Sequence, residues 1–115
     1  MSASRGGPAL QAPTAAPLFA ALGDATRLGL LRRLSADGPL SIARLSEGTG
    51  VTRQAITRHL QTLETAGLVR DVRRGRERVF ELEVKRLEKA RQYLDQVAIQ
   101  WEAAAQRLKA FVEGE

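Results

Sequence analysis

The sequence predicts a mainly α-helical fold carrying one small β-hairpin, and three observations predict it. Between Gly50 and Leu68, the apolar residues Val51, Ala55, Ile56, Leu60 and Leu63 recur at three- and four-residue steps, one stripe of a helix. From Leu68 to Glu83 the pattern turns strand-like around Arg74-Gly75-Arg76. From residue 84 to 113 neither Gly nor Pro occurs, and an apolar repeat runs through a segment dense in Ala, Glu, Lys, Arg and Gln.

A chain of 115 residues is one domain by length, with room for a modest core. Hydrophobic content of 43% and charged content of 27% are ordinary for a soluble protein, while 4% aromatic residues leave Leu, Val, Ile and Ala to build the interior. No apolar run approaches the roughly 20 residues that span a bilayer, so no membrane partner is expected. The N-terminus also lacks the hydrophobic region of a signal peptide. Zero cysteines exclude disulfides and thiolate metal sites and fit a cytoplasmic chain. Net charge is +5, and it is unevenly placed. Residues 51–78 carry seven Arg against three acids, whereas residues 79–115 carry six bases against seven acids. A local basic patch suits a polyanion; the alternative for any single Arg is a solvated surface.

Residues 1–16 are rich in Ala, Gly, Pro and Ser without periodicity, and are expected to form a flexible tail. Pro17 is placed to open a helix containing Leu18, Phe19, Ala21 and Leu22, stopped at Gly23. Asp24 is the expected N-cap of the next helix, whose inward stripe is Leu28, Leu31 and Leu34, with Arg32 and Arg33 outside. Asp37-Gly38-Pro39 ends it. Ser41 is placed to cap a third helix with Ile42 and Leu45 inward, and Gly48-Thr49-Gly50 makes a short turn.

The next helix follows Thr52, a residue suited to its N-cap, and Gly67 stands where it would end in the left-handed conformation. Opposite its apolar stripe lie Arg53, Gln54, Thr57, Arg58, Gln61 and Thr62, a face on which Glu64 is the one acid. Such side chains hydrogen-bond base edges and phosphates. Helix, tight Gly-containing turn and polar-faced second helix make a helix-turn-helix. The following strands are anchored by Val72 and Val79, with Phe80 and Leu82 on one face and Arg73, Arg74, Arg76 and Arg78 at the tip and edges. A two-stranded hairpin is marginal alone and must lean on the helices. The whole is a winged helix-turn-helix over residues 17–83.

Residues 84–115 form the expected C-terminal dimerisation helix. Leu87, Ala90, Leu94, Val97, Trp101, Ala104, Leu108 and Phe111 keep alternating spacings of three and four. About 30 residues of helix would be roughly 45 Å long, more than this domain can cover. The stripe is therefore expected to be buried in a homodimer, together with Leu18, Phe19 and Leu22; the alternative is a helix folded back along its own chain.

Three stretches, A-L-G-D-A-T-R-L-G-L-L-R-R-L, G-P-L-S-I-A-R-L-S-E-G-T-G-V-T-R-Q-A-I-T-R-H-L-Q-T-L-E-T-A-G-L-V and R-R-G-R-E-R-V-F-E-L, resemble the ArsR/SmtB family of bacterial dimeric winged-helix repressors. The resemblance spans about residues 17–83. It implies an operator-binding homodimer with Arg53, Gln54, Thr57 and Arg58 reading bases in the major groove. The chain departs from the family at its metal sites. Where thiolate-sensing members carry C-V-C, this chain has Ser41, Ile42 and Ala43, and no histidine follows His59. No cofactor and no metal are therefore expected, nor a response to arsenite, zinc or cadmium; the inducer is not readable.

Thr52 caps the helix and is also placed to touch phosphate through its hydroxyl. His59 packs at the edge of the stripe, contacts phosphate or bridges to the turn. Arg74 and Arg76 are expected to reach the flanking backbone or minor groove, and Ser41 and Arg44 to touch phosphate from the supporting helix. Without a Gly-rich phosphate loop, nucleophile–base pair or ligand cluster, an enzyme is not expected. The rival function is a winged-helix module whose Arg face meets an acidic protein.

Overall fold

The computed structural model describes residues 9–114. In chain order the elements are α1 (Ala12–Leu22), α2 (Ala25–Asp37), β1 (Leu40–Ser41), α3 (Ile42–Ser46), α4 (Arg53–Thr65), β2 (Val69–Arg74), β3 (Glu77–Leu82) and α5 (Val84–Glu113). The mainly helical architecture with a hairpin wing is the one expected from the sequence.

The first helix begins earlier than Pro17. Thr14 Oγ1 accepts from the Gln11 N–H (3.2 Å) and donates to the Gln11 carbonyl (2.9 Å), which closes a helical start ahead of the proline. Pro13, in the first turn, needs no donor there, and Pro17 lies inside the helix. The expected tail over 1–16 is thus cut short at its end, and residues 1–8 lie outside the described residues.

In α2, Asp24 caps as expected, its Oδ2 accepting from the Arg27 N–H at 3.0 Å. The inward stripe is displaced from the expected one. Leu30, Leu31 and Leu34 are buried, whereas Leu28 is 47% exposed. The short α3 and longer α4 pack together, and Leu45, Ile56, Leu60, Leu63 and Leu68 are fully buried where the helices meet. Burying a Leu or Ile side chain contributes about 1.5–3 kcal/mol, so these five positions anchor the helix-turn-helix.

The helix α4 stops in a Schellman turn. The Gly67 N–H donates to the Glu64 carbonyl and the Leu68 N–H to the Leu63 carbonyl, both at 2.9 Å. Gly67 holds φ +80°, and a Cβ there would lie 3.2 Å from Arg86 Nε. The chain then enters an antiparallel sheet of order β1-β3-β2. Val72 faces Val79 across the hairpin, as expected. The third strand is an addition to the expected hairpin: Leu40 pairs with Phe80 and Ser41 with Val79. This edge ties the hairpin to the start of α3, and buried Phe80 fastens it to the helical core.

The C-terminal helix is 30 residues long. At its start the Arg86 Nε donates to the Ala66 carbonyl at 3.2 Å. Its first turns pack on α1, where the rings of Phe19 and Tyr93 lie 5.7 Å apart. Beyond them α5 extends with its apolar side chains exposed among the described residues. The radius of gyration is 18.5 Å and the long axis 68 Å, against about 13 Å expected for a compact domain of roughly this length.

Candidate nucleic-acid interface

Thr52 Oγ1 accepts from the Ala55 N–H at 3.1 Å and so closes the start of α4. The preceding turn is locked by Thr49, whose Oγ1 accepts from the Val51 N–H (3.0 Å) and donates to the Ser46 carbonyl (2.9 Å). The Thr49 hydroxyl thereby pins the turn between α3 and α4. Because Ile56, Leu60 and Leu63 are fully buried, the opposite face is turned out to solvent. Arg53, Gln54 and Arg58 are exposed there, and Thr57 is half-buried with its hydroxyl donating to the Arg53 carbonyl at 2.8 Å. Among the described residues, neither Arg53 nor Arg58 has an ion pair or hydrogen bond through its side chain. Their charge is available to an anion from outside.

On the wing, Arg73, Arg74 and Arg76 are exposed, again without an ion pair among the described residues. Arg73 stands opposite Arg78 in the register, a like-charge pair. Arg78 is exposed as well but is paired: its Nε lies 2.6 Å from Asp71 Oδ2, and its guanidinium sits 5.4 Å from the Phe80 ring centre. Arg78 thereby braces the hairpin while its side chain stays 49% exposed. Ser41 is corrected. It is 9% exposed, pairs in β1, and its Oγ accepts from the Arg44 N–H at 3.2 Å, because the turn into α3 needs a cap. Arg44 is exposed and lies 3.6 Å from Glu47.

His59 is 25% exposed and faces α2. Its Nδ1 is 3.1 Å from an Arg27 guanidinium nitrogen and 3.8 Å from Asp24 Oδ2. Arg27, whose position in the sequence carries no signal of a role, also donates through Nε to the Ala21 carbonyl at 2.6 Å. One guanidinium therefore ties together α1, α2 and α4. The carboxyl of Asp24 is held below its ordinary value near 3.8, chiefly by the hydrogen bond from the Arg27 amide; partial burial opposes this, and the charges of Arg27 and His59 and the Thr26 amide assist.

The helix-turn-helix and the fold around it are shared with known proteins. The family described as Helix-turn-helix domain matches residues 13–72. The HTH-type transcriptional regulator Rv2034 of Mycobacterium tuberculosis is 41% identical over 75 residues, covering 65% of this chain and 69% of that protein. An ArsR-like transcriptional regulator from Rhodococcus sp. RHA1 superposes with a TM-score of 0.77 at 32% identity, over 86% of this chain and 92% of that one. The chain belongs to the ArsR-like helix-turn-helix transcriptional regulators. A homodimeric winged helix-turn-helix DNA-binding domain from Mycobacterium bovis, described as a possible ArsR-family regulator, is a further structural relative. It has a TM-score of 0.60 and 26% identity over 79% of this chain and 82% of that one.

In this ArsR-like regulator the expected dimer stripe divides in two. Leu18 is 1% exposed and Ala90 5% exposed, so both are spent on the chain's own core and are corrected as partner contacts. Leu87, Phe19 and Leu22 pack partly against that same core, because the first turns of α5 lie on α1. From Leu94 onward none of the described residues covers the stripe: Leu94, Val97, Trp101, Leu108 and Phe111 are exposed, Trp101 by 73%, and Ala104 is half-buried. Val84, Ile99 and Val112 are exposed apolar positions outside the expected stripe. Ser41, Ile42 and Ala43 form the β1–α3 junction of the regulator, where no side chain offers a soft metal donor. Among the described residues no helix is long and apolar enough to cross a membrane, and none cluster as three or more His, Cys, Asp or Glu suited to a metal ion.

Proposed function

We propose that two copies of this regulator, joined along the free half of α5, set their α4 helices into successive major grooves of a pseudo-palindromic operator and repress the adjoining promoter. The observation that carries this reading is the set of exposed arginines without acidic partners among the described residues, Arg53 and Arg58 on α4 and Arg73, Arg74 and Arg76 on the wing. Arg53 and Gln54, in the first turn of α4, are the base readers. Arginine bonds guanine in bidentate fashion and glutamine bonds adenine, each contributing about 1–3 kcal/mol of discrimination. Thr52, Thr57 and Arg58 contact the backbone beside them, and the wing arginines follow the flanking phosphates or minor groove. Bound half-sites lie about one turn apart, roughly 34–36 Å. The regulator acts in the cytoplasm, at the nucleoid, and without a resident cofactor or metal.

The exposed apolar positions from Leu94 to Phe111 support the self-association. So does the homodimeric state named for the Mycobacterium bovis relative. Selection of bound duplexes from a random-sequence pool by the purified protein tests the proposal. The expected result is an enriched inverted repeat, bound with a steep loss of affinity as salt rises. No enriched sequence, together with tight binding to an acidic protein, overturns it in favour of a protein-interaction module.

A further inference from the structure

The contact between Arg27 and His59 joins residues 32 apart in sequence and lies where α2 meets the middle of α4. Its chemistry constrains the imidazole. An arginine guanidinium stays protonated in proteins and only donates hydrogen bonds. The ring nitrogen facing it must therefore accept, which requires a bare lone pair on Nδ1 and places the proton of the neutral ring on Nε2. Among the described residues nothing bonds Nε2, and no buried polar side-chain atom is left unpartnered. That second nitrogen meets solvent.

A second partner stands ready. Asp24 Oδ2 is 3.8 Å from the same Nδ1, beyond hydrogen-bond reach but close enough to attract a charged ring. When a proton is added to Nδ1, the bond from Arg27 is lost and two cations face each other. The protonated nitrogen then turns to the carboxylate, which already caps α2 through the Arg27 amide. Both partners belong to α2. The helix α1, which also packs on α4, carries no titratable side chain. Arg44 of α3 and Arg70 and Asp71 of β2 are held in ion pairs with Glu47, Glu81 and Arg78, while Arg73 and Arg74 lie toward the wing tip. The neighbour on α4 itself is the exposed Arg58.

Arg27 is also the bolt between α4 and the last turn of α1, and α1 is the helix on which α5 rests. A change at His59 therefore alters how the operator-facing helix is held against the part of the molecule that carries the free half of α5. We propose that His59 is a proton-sensitive positioning residue: neutral, with its proton on Nε2, it locks α4 in the operator-binding pose through Arg27, and when protonated it exchanges Arg27 for Asp24 and loosens that pose. This rests on the operator-binding reading above.

The chain has one histidine, so its ring can be read in the full protein without ambiguity. Nitrogen-15 NMR at about pH 8 is expected to show a bare Nδ1 and a protonated Nε2; the opposite tautomer overturns the proposal. Binding is then measured with the most enriched duplex from the random-sequence selection, for the wild type, His59→Asn and His59→Leu. Asparagine keeps an acceptor near the place of Nδ1 but does not titrate, and leucine removes it. Wild-type affinity is expected to fall severalfold as the pH is lowered from about 8, while His59→Asn stays near the wild-type value at that pH and changes little below it. His59→Leu is expected to bind weakly throughout.

A terminal amine also titrates in this range, but the asparagine variant retains it, so the difference between the two proteins belongs to His59. A pH profile of His59→Asn that matches the wild type, or full affinity in a folded His59→Leu, overturns the proposal. If the leucine variant fails to fold, the tautomer and the wild-type against asparagine comparison decide it. Wild-type protein that selects no duplex at about pH 8 overturns the operator reading and the proton gate with it. Selective binding without a pH difference between the proteins overturns the gate alone.

Discussion

Arg78 lies against Asp71, Nε to Oδ2 at 2.6 Å, on the neighbouring strand of the wing. This pair separates the arginines of the hairpin into two kinds. Asp71 draws Arg78 back over the Phe80 ring, while no acid among the described residues pairs with Arg73, Arg74 or Arg76 at the tip and edge. Equal residues in the sequence thereby acquire unequal roles.

The two kinds should respond differently to alanine. Arg78→Ala is expected to lower thermal stability by about 1 kcal/mol, from a partly exposed ion pair and a cation–π contact, and to change the salt dependence of duplex binding little. Arg76→Ala is expected to leave stability unchanged, weaken all duplexes about equally, and reduce the slope of log affinity against log salt by about one. Thermal melts and salt titrations on both variants check this. The reverse pattern would return Arg78 to the interface.

Arg53 stands at the first position of α4, exposed and unpaired, with Thr52 holding the backbone beneath it. Arg53→Ala is expected to relax base preference at one position in each half-site, costing about 1–3 kcal/mol for the preferred sequence and little for others. Repeating the duplex selection with the variant reads this directly. An unchanged motif would reassign Arg53 to the phosphate backbone.

Trp101 is the only tryptophan, and it is 73% exposed on the free half of α5. Trp101→Ala removes nothing from the core of a single chain, yet it removes a large apolar anchor from the proposed dimer. Dimer affinity is expected to drop by about 2 kcal/mol or more, roughly thirtyfold in Kd. Sedimentation across a dilution series measures it. Unchanged association would place the interface elsewhere.

Asp24 makes folding sensitive to acid. Its folded-state value is lowered, first by the Arg27 amide, so between the folded and unfolded values the unfolded chain binds the extra proton. The stabilisation is fully present above the ordinary value near 3.8 and is lost as pH falls below it through the lowered one. In urea melts the wild-type midpoint is expected to fall more steeply than that of Asp24→Asn over that range. Asparagine keeps the capping acceptor and lacks the charge, so parallel curves would mean that the carboxylate contributes nothing beyond its cap.

Elements legible from sequence are those for which one stretch of chain carries the whole signal. Val51 to Leu63 announced α4 by its period, and Thr52 its start. Departures arose where a residue answers to something distant. The two-residue β1 has no period of its own and exists because β3 offers it an edge. Leu28 shares the spacing of Leu31 and Leu34, but α2 turns Leu30 inward in its place. Pro17 looked like a helix start until Thr14 and Gln11 closed an earlier one.

By itself, the order of amino acids determined a mainly helical chain with a hairpin, a basic stripe opposite a buried one, and a C-terminal helix too long for its own domain. Each follows from short-range periodicity and charge, which neighbours along the chain suffice to express. Only the folded arrangement decided which arginines are braced and which are open, that Leu18 and Ala90 belong to the core, and that Arg27 meets His59 across α2 and α4. These depend on which surfaces are brought within a few ångströms of one another, and that distance is a property of packing.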